Sequence, residues 1–147
     1  AIDWRRVHPT IFFNHRPNAV RIIDRAALDY ETKRLYSELR FVQAMSVEDV
    51  DRPVLFIDCT KNCYQVFKNA ELVKAIREPH YFSYGVTIKL KNKSDTTIRI
   101  DFNSEGKAKI PNVTGSSYTL ILTSRRGKNK YIVIDSVGRI KGSLETL

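Results

Sequence analysis

From residue 18 to about residue 49 the apolar positions Val20, Ile23, Ala27, Leu28, Leu35, Leu39 and Val42 recur at spacings of three, four and seven. That period puts them on one face of an α-helix. Asn18 follows Pro17 and can cap the helix, with Asp24 as an alternative start. Asp29 with Lys33 and Arg34 with Glu38 stand four residues apart, where opposite charges meet on an exposed face. Glu48, Asp49 and Asp51 oppose the helix dipole ahead of Pro53, so the helix is expected to end between Met45 and Asp49.

After Pro53 the period falls to two. Val54–Asp58 and Tyr64–Phe67 read as strands around a Cys-Thr-Lys-Asn-Cys turn, and Leu72–Ile76 as a short strand or helical piece. In Gly85–Lys91, Val86, Ile88 and Leu90 alternate with Thr87, Lys89 and Lys91. In Thr97–Phe102, Ile98, Ile100 and Phe102 alternate with Thr97, Arg99 and Asp101. Such alternation marks antiparallel strands with one wet face. Asn103–Gly106 and Arg125–Asn129 read as hairpin turns, the second between strands Tyr118–Thr123 and Lys130–Asp135. Gly138–Lys141 can add a last strand. Upstream, Pro9 and Pro17 each bias the preceding residue away from helix, so residues 1–17 are expected to form an irregular arm. Its Trp4, Ile11, Phe12 and Phe13 would pack on the domain or against a partner. The expected division is therefore an arm 1–17 and a domain 18–147, with a helix over 18–49 and a β-region over 54–142. The plan is α+β: one long N-terminal helix packed on antiparallel sheet of about seven short strands.

Composition narrows the class. The chain has 147 residues, 42% of them hydrophobic, enough for the core of one domain. The longest apolar runs are four-residue pieces such as Val54–Ile57, far short of a spanning helix. The net charge of +9 is unevenly placed: residues 1–73 carry 11 basic and 10 acidic side chains, residues 74–147 carry 14 and 6. An electrostatic role therefore belongs to the second half, unless the cations only solvate exposed strands.

Local catalytic motifs are missing. His8, His15 and His80 fall in no metalloprotease or deaminase pattern, and no serine sits in a nucleophile elbow. Gly115-Ser-Ser is the nearest approach to a phosphate loop and lacks its lysine. The expectation is a protein that is not an enzyme, with no cofactor, no bound metal and no small-molecule substrate.

Four segments, in order, resemble the minor pilins of type IV pili and the pseudopilins of type II secretion. Arg34-Leu-Tyr-Ser-Glu-Leu-Arg-Phe-Val-Gln-Ala44 is similar to the family's helix motif before the first strand. Ile100-Asp-Phe-Asn-Ser-Glu-Gly106 looks like its Ile-x-Phe hairpin, and Tyr118-Thr-Leu-Ile-Leu122 like the strand that follows. Ile132-Val-Ile-Asp-Ser-Val-Gly-Arg-Ile140 resembles its C-terminal Gly-Arg signature. The match spans residues 20–142. It implies a non-enzymatic subunit that assembles helix to helix, with other pilin or pseudopilin subunits as partners. The full-length form would be anchored in the inner membrane by a methylated helix absent here, with this domain facing the periplasm or the cell exterior. The family's leader, its Phe start and its acidic fifth residue are missing from these residues. A trimmed soluble portion would account for that.

The resemblance also gives candidate residues. Val20, Ile23, Leu28, Leu35, Leu39 and Val42 become the candidate assembly face of the helix. Some family members bind DNA in competence uptake through a C-terminal Gly-Arg-x-Arg, matched here by Gly138-Arg139-Ile140-Lys141. Arg125, Arg126, Lys128, Lys130, Arg139 and Lys141 are then candidate DNA contacts, expected to bind phosphate with little sequence preference. The alternatives to a structural subunit are this DNA-binding role, or an unrelated basic binding module. Cys59 and Cys63 lack the further ligand pair a zinc site needs, although His8 and His15 could in principle contribute. They can face each other across the turn as a disulfide, which an exported domain favours, or remain reduced thiols.

Overall fold

The computed structural model describes the backbone of residues 4–48, 51–115 and 117–142, and side chains from residue 19 onward. One helix, α1, spans Trp4–Val47. It is followed by β1 (Val54–Asp58), β2 (Cys63–Phe67), β3 (His80–Tyr81), β4 (Thr87–Leu90), β5 (Thr97–Phe102), β6 (Ala108–Lys109), β7 (Tyr118–Thr123), β8 (Asn129–Ile134) and β9 (Ile140–Gly142).

The helix departs from expectation at its start. It runs unbroken through Pro9 and Pro17 instead of beginning near Asn18, so no irregular arm occupies 4–17. A proline has the φ of a helical residue. It removes one backbone donor and bends the axis, and the bonds of neighbouring turns can carry the helix past it. The side chains of Trp4, His8, Ile11, Phe12, Phe13 and His15 lie outside the described residues. At the other end α1 stops at Val47, with Glu48 N–H still bonded to Ala44 O at 3.0 Å. The expected last residue, Asp49, is outside the described set.

The buried positions of α1 are Asp24, Leu28, Glu31, Thr32, Leu35, Leu39, Val42 and Ser46, one helical stripe. Its two hydroxyls are satisfied within the helix, Thr32 Oγ1 donating to Leu28 O at 2.7 Å and Ser46 Oγ to Val42 O at 3.0 Å.

The strands form two antiparallel sheets, with orders β3-β2-β1-β5-β6 and β4-β7-β8-β9. Nine strands are described where about seven were expected; β3 and β6 are two-residue edges that alternation cannot reveal. Leu72–Ile76 is no strand and contributes only a bridge between Ala75 and Phe67. Both sheets turn their apolar faces to α1. Leu55, Ile57, Ile98, Ile100 and Phe102 come from the first sheet and Leu120, Leu122, Ile132 and Ile134 from the second, all at 3% exposure or less. They close one core with Leu28, Leu35, Leu39 and Val42.

Leu39 is fully buried, and Leu39→Ala should lower stability by about 2–5 kcal/mol, seen as a lower urea midpoint at unchanged slope. Ile22→Ser, on the outer side of the helix at 68% exposure, should stay within about 0.5 kcal/mol of the parent.

Candidate functional site

Gln43 joins three parts of the fold. Its Nε2 donates to the carbonyl of Gly106 at 2.9 Å and to that of Gly138 at 2.5 Å. Gly106 lies in the β5–β6 turn of one sheet and Gly138 in the β8–β9 turn of the other. The two turns are built alike. The Asn103 side chain accepts from Glu105 N–H and Lys107 N–H, and the Asp135 side chain from Val137 N–H and Arg139 N–H. Each turn needs a left-handed residue, supplied by Gly106 at φ +84° and Gly138 at φ +92°. A Cβ on Gly138 would overlap the Gly106 carbonyl, so the turns touch backbone to backbone.

Glu31 fastens the helix to β3. Its carboxylate has no exposure, accepting from the Ser83 N–H at 2.7 Å and the Ser83 hydroxyl at 2.8 Å. Its other oxygen is 2.6 Å from His80 Nε2. Tyr64 stacks edge-on against that imidazole at 5.3 Å. A buried carboxylate is tolerated only when its lone pairs are met this fully.

Three further contacts hold the flanks of α1. Arg77 pairs with Glu38 at 2.9 Å and lies 3.9 Å over the Phe41 ring. Asp24, buried, accepts the Arg126 N–H at 3.2 Å. Lys130, buried on β8, pairs with Asp29.

These contacts redistribute the residues singled out by sequence. Leu28, Leu35, Leu39 and Val42 are buried against the chain's own sheets and cannot form an assembly face. Of the six, Val20 is half-buried and only Ile23 is substantially exposed, at 45%. The surface α1 leaves open carries Arg21, Ile22, Arg25, Ala26, Lys33, Arg34 and Arg40. The six basic candidates do not form one surface of free cations. Lys130 is buried and ion-paired, and the Arg139 guanidinium is 2.9 Å from Asp135. Burial pushes the Asp135 carboxyl up, but hydrogen bonds from Arg139 and Val137 together hold it below its ordinary range. Arg125, Arg126, Lys128 and Lys141 are exposed, with Arg125 stacked 5.5 Å over the Tyr84 ring.

Sequence reasoning passed over Gln43, Glu31 and the burial of Lys130, though each had a signal. Lys130 shares the inward phase of Ile132 and Ile134 along β8, and Glu31 shares the helical stripe of Leu28 and Leu35. Gln43 stood inside the quoted helix motif without a role.

Cys59 and Cys63 are half-buried free cysteines. Cys63 pairs in register with Asp58, so the directly opposed pair expected across the turn does not arise: Cys59 lies beyond the end of β1. Burial pushes both thiols above their ordinary range, and Asp58 adds to it. Among the described residues no group of three metal-ligating side chains is present, and no helix is long and apolar enough to cross a membrane.

A single helix clamped across two antiparallel sheets is the fold of type IV minor pilins and pseudopilins. The type IV minor pilin FimU of Pseudomonas aeruginosa superimposes with a TM-score of 0.62 at 17% identity, over 83% of this chain and 92% of that one. A second crystal form of FimU gives 0.60 at 15% identity, over 79% and 92%. The minor pseudopilin EpsH from the type 2 secretion system of Vibrio cholerae gives 0.58 at 8% identity, over 78% and 94%. No protein-family model and no curated protein matches the sequence.

Gln43→Ala removes two hydrogen bonds and should cost about 1–3 kcal/mol in chemical unfolding. Gly138→Ala should cost about 2 kcal/mol or more, and the double variant less than the sum, because both changes open the same joint. Alkylation of the reduced protein by iodoacetamide at pH 8 should run at least about threefold slower than in the urea-unfolded chain. Equal rates would contradict the raised thiols.

Proposed function

We propose that this chain is the extracytoplasmic portion of a non-enzymatic structural subunit of a type IV pilus or a type II secretion pseudopilus. The observation that carries the reading is the likeness to a minor pilin and a minor pseudopilin, which spans more than nine-tenths of each of those chains. In this reading α1 is the assembly spine and the two sheets are the body presented outward. A helix preceding residue 1 would anchor the subunit in the inner membrane, and its neighbours would be other pilin or pseudopilin subunits. A DNA-uptake role is not part of the proposal. Of its six candidate cations, Lys130 is buried and paired with Asp29, and Arg139 makes an exposed ion pair with Asp135.

The test is incorporation. An epitope-tagged full-length form expressed in the native host should co-purify with sheared filaments or with the secretion apparatus. Deletion should reduce filament number or secretion, and the wild-type gene should restore it. A protein that never enters the assembly fraction, with filaments and secretion intact on deletion, would overturn the reading.

A further inference from the structure

The edge of β5 that faces away from β1 is paired along only part of its length. Cys59 N–H donates to Thr96 O at 2.8 Å, and the register with β1 sets Ile57 opposite Ile98 and Leu55 opposite Ile100. Antiparallel strands exchange hydrogen bonds at every second pair, so Thr96, Ile98 and Ile100 turn their backbone groups to β1. Thr97, Arg99 and Asp101 turn theirs the other way. Asp101 meets Lys109 of β6, and β6 ends there. The next position of that ladder, opposite Arg99, falls on Pro111, which has no N–H to give. No described residue bonds the backbone N–H or C=O of Thr97 or Arg99. Both residues border a cleft of about 220 Å³. Its walls are residues 95–99, Leu90 at the end of β4, and residues 110–112 after β6, so both sheets contribute. Leu90, Ile98 and Ile110 are at 4% exposure or less, which leaves backbone and polar side chains as the surface on offer.

We propose that this cleft binds an extended segment of a partner polypeptide, which adds to β5 as a strand alongside Thr97 and Arg99. The proposal goes beyond the assembly reading and does not depend on it. Residues two apart in a strand stand about 6.5–7 Å from each other, and each of these two offers one donor and one acceptor. An extended backbone repeats the complementary pair at the same interval, which is how a free sheet edge takes up a peptide. A sugar or a phosphate meets one such pair but does not repeat it. The register also sets side-chain preferences. A guest residue opposite Ile98 turns to the same side as Ile98, where Leu90 and Ile110 favour an apolar group. One opposite Arg99 lies on the outer face beside the guanidinium, which bonds the Ala70 carbonyl through only one of its donors. The turn from β4 to β5 carries Lys91 and Lys93, both exposed, against the single acid Asp95. Charge complementarity therefore selects an acidic residue in the guest, opposite Arg99.

The test uses the isotope-labelled 147-residue chain and a panel of end-blocked peptides of about seven residues. They alternate threonine with an apolar residue (Val, Ile, Leu or Phe across the panel) and carry glutamate at one central threonine position. In the free chain the Thr97 and Arg99 amides should exchange with deuterium at least about tenfold faster than those of Ile98 and Ile100. A binding peptide should slow the first two and shift resonances of residues 95–99 and 110–112. Methylating the peptide nitrogens of the glutamate and every second residue from it blocks the edge that faces β5, and should weaken binding at least about tenfold. Methylating the residues between them blocks the other edge and should leave binding intact. Glutamate replaced by lysine should weaken binding at least about threefold. In the protein, Pro111→Val returns an N–H opposite Arg99, lets β6 lengthen over the open positions, and should weaken the peptide. Thr97→Pro removes one cleft donor without touching the bonds to β1 and should do the same. Should that variant not fold, the two methylated peptides still decide. Thr97 and Arg99 amides as protected as Ile98 in the free chain, equal binding of the two methylated forms, or no binding by any peptide at millimolar concentration would overturn the proposal. Filament incorporation of the full-length protein is a separate readout, so either reading can fail while the other stands.

Discussion

The architecture depends on a meeting of three backbones at one side chain. Two glycine turns, one from each sheet, come so close that no Cβ fits at Gly138, and the Gln43 amide binds both carbonyls. Two sheets held only by apolar contact with a shared helix could slide or rotate, since hydrophobic burial has no direction. Hydrogen bonds from a single amide to two fixed acceptors remove that freedom. The core supplies the driving force, and this joint supplies the registry between the sheets.

The remaining polar contacts of α1 follow the same logic toward the other end of the buried stripe. Asp24, Asp29 and Glu31 hold the β7–β8 turn, β8 and the segment after β3. The acids of the helix's first buried turns thus look into the domain. Arg21 and Arg25 of the helix and Arg125, Arg126 and Lys128 of the turn are left exposed there.

Much of this was legible in the sequence. The helical stripe placed Leu28, Leu35, Leu39 and Val42 on one face, and alternation placed Ile88, Leu90, Ile98 and Ile100 on the apolar side of their strands, where all are buried. The purpose of the stripe was misassigned, because periodicity says that a face is covered and not by what. The arm expected from Pro9 and Pro17 failed because local bias was weighed without the bonds on either side. The partition of strands had no local signal: β4 and β5 alternate equally well, yet enter different sheets. Lys130 was readable from its phase, whereas Glu31's partners, His80 and Ser83, lie about fifty residues away and only the folded chain brings them together.

That placement of β4 bears on how the molecule comes into being. The first sheet cannot close until β5 and β6 reach β1, and β4, which precedes them, waits for β7. The strands of the two sheets are interleaved along the chain, so neither sheet is an autonomous folding unit. Loop closures of this length slow the search and leave edges open meanwhile. A chain threaded in this way brings each sheet together only by pairing strands that lie far apart in sequence.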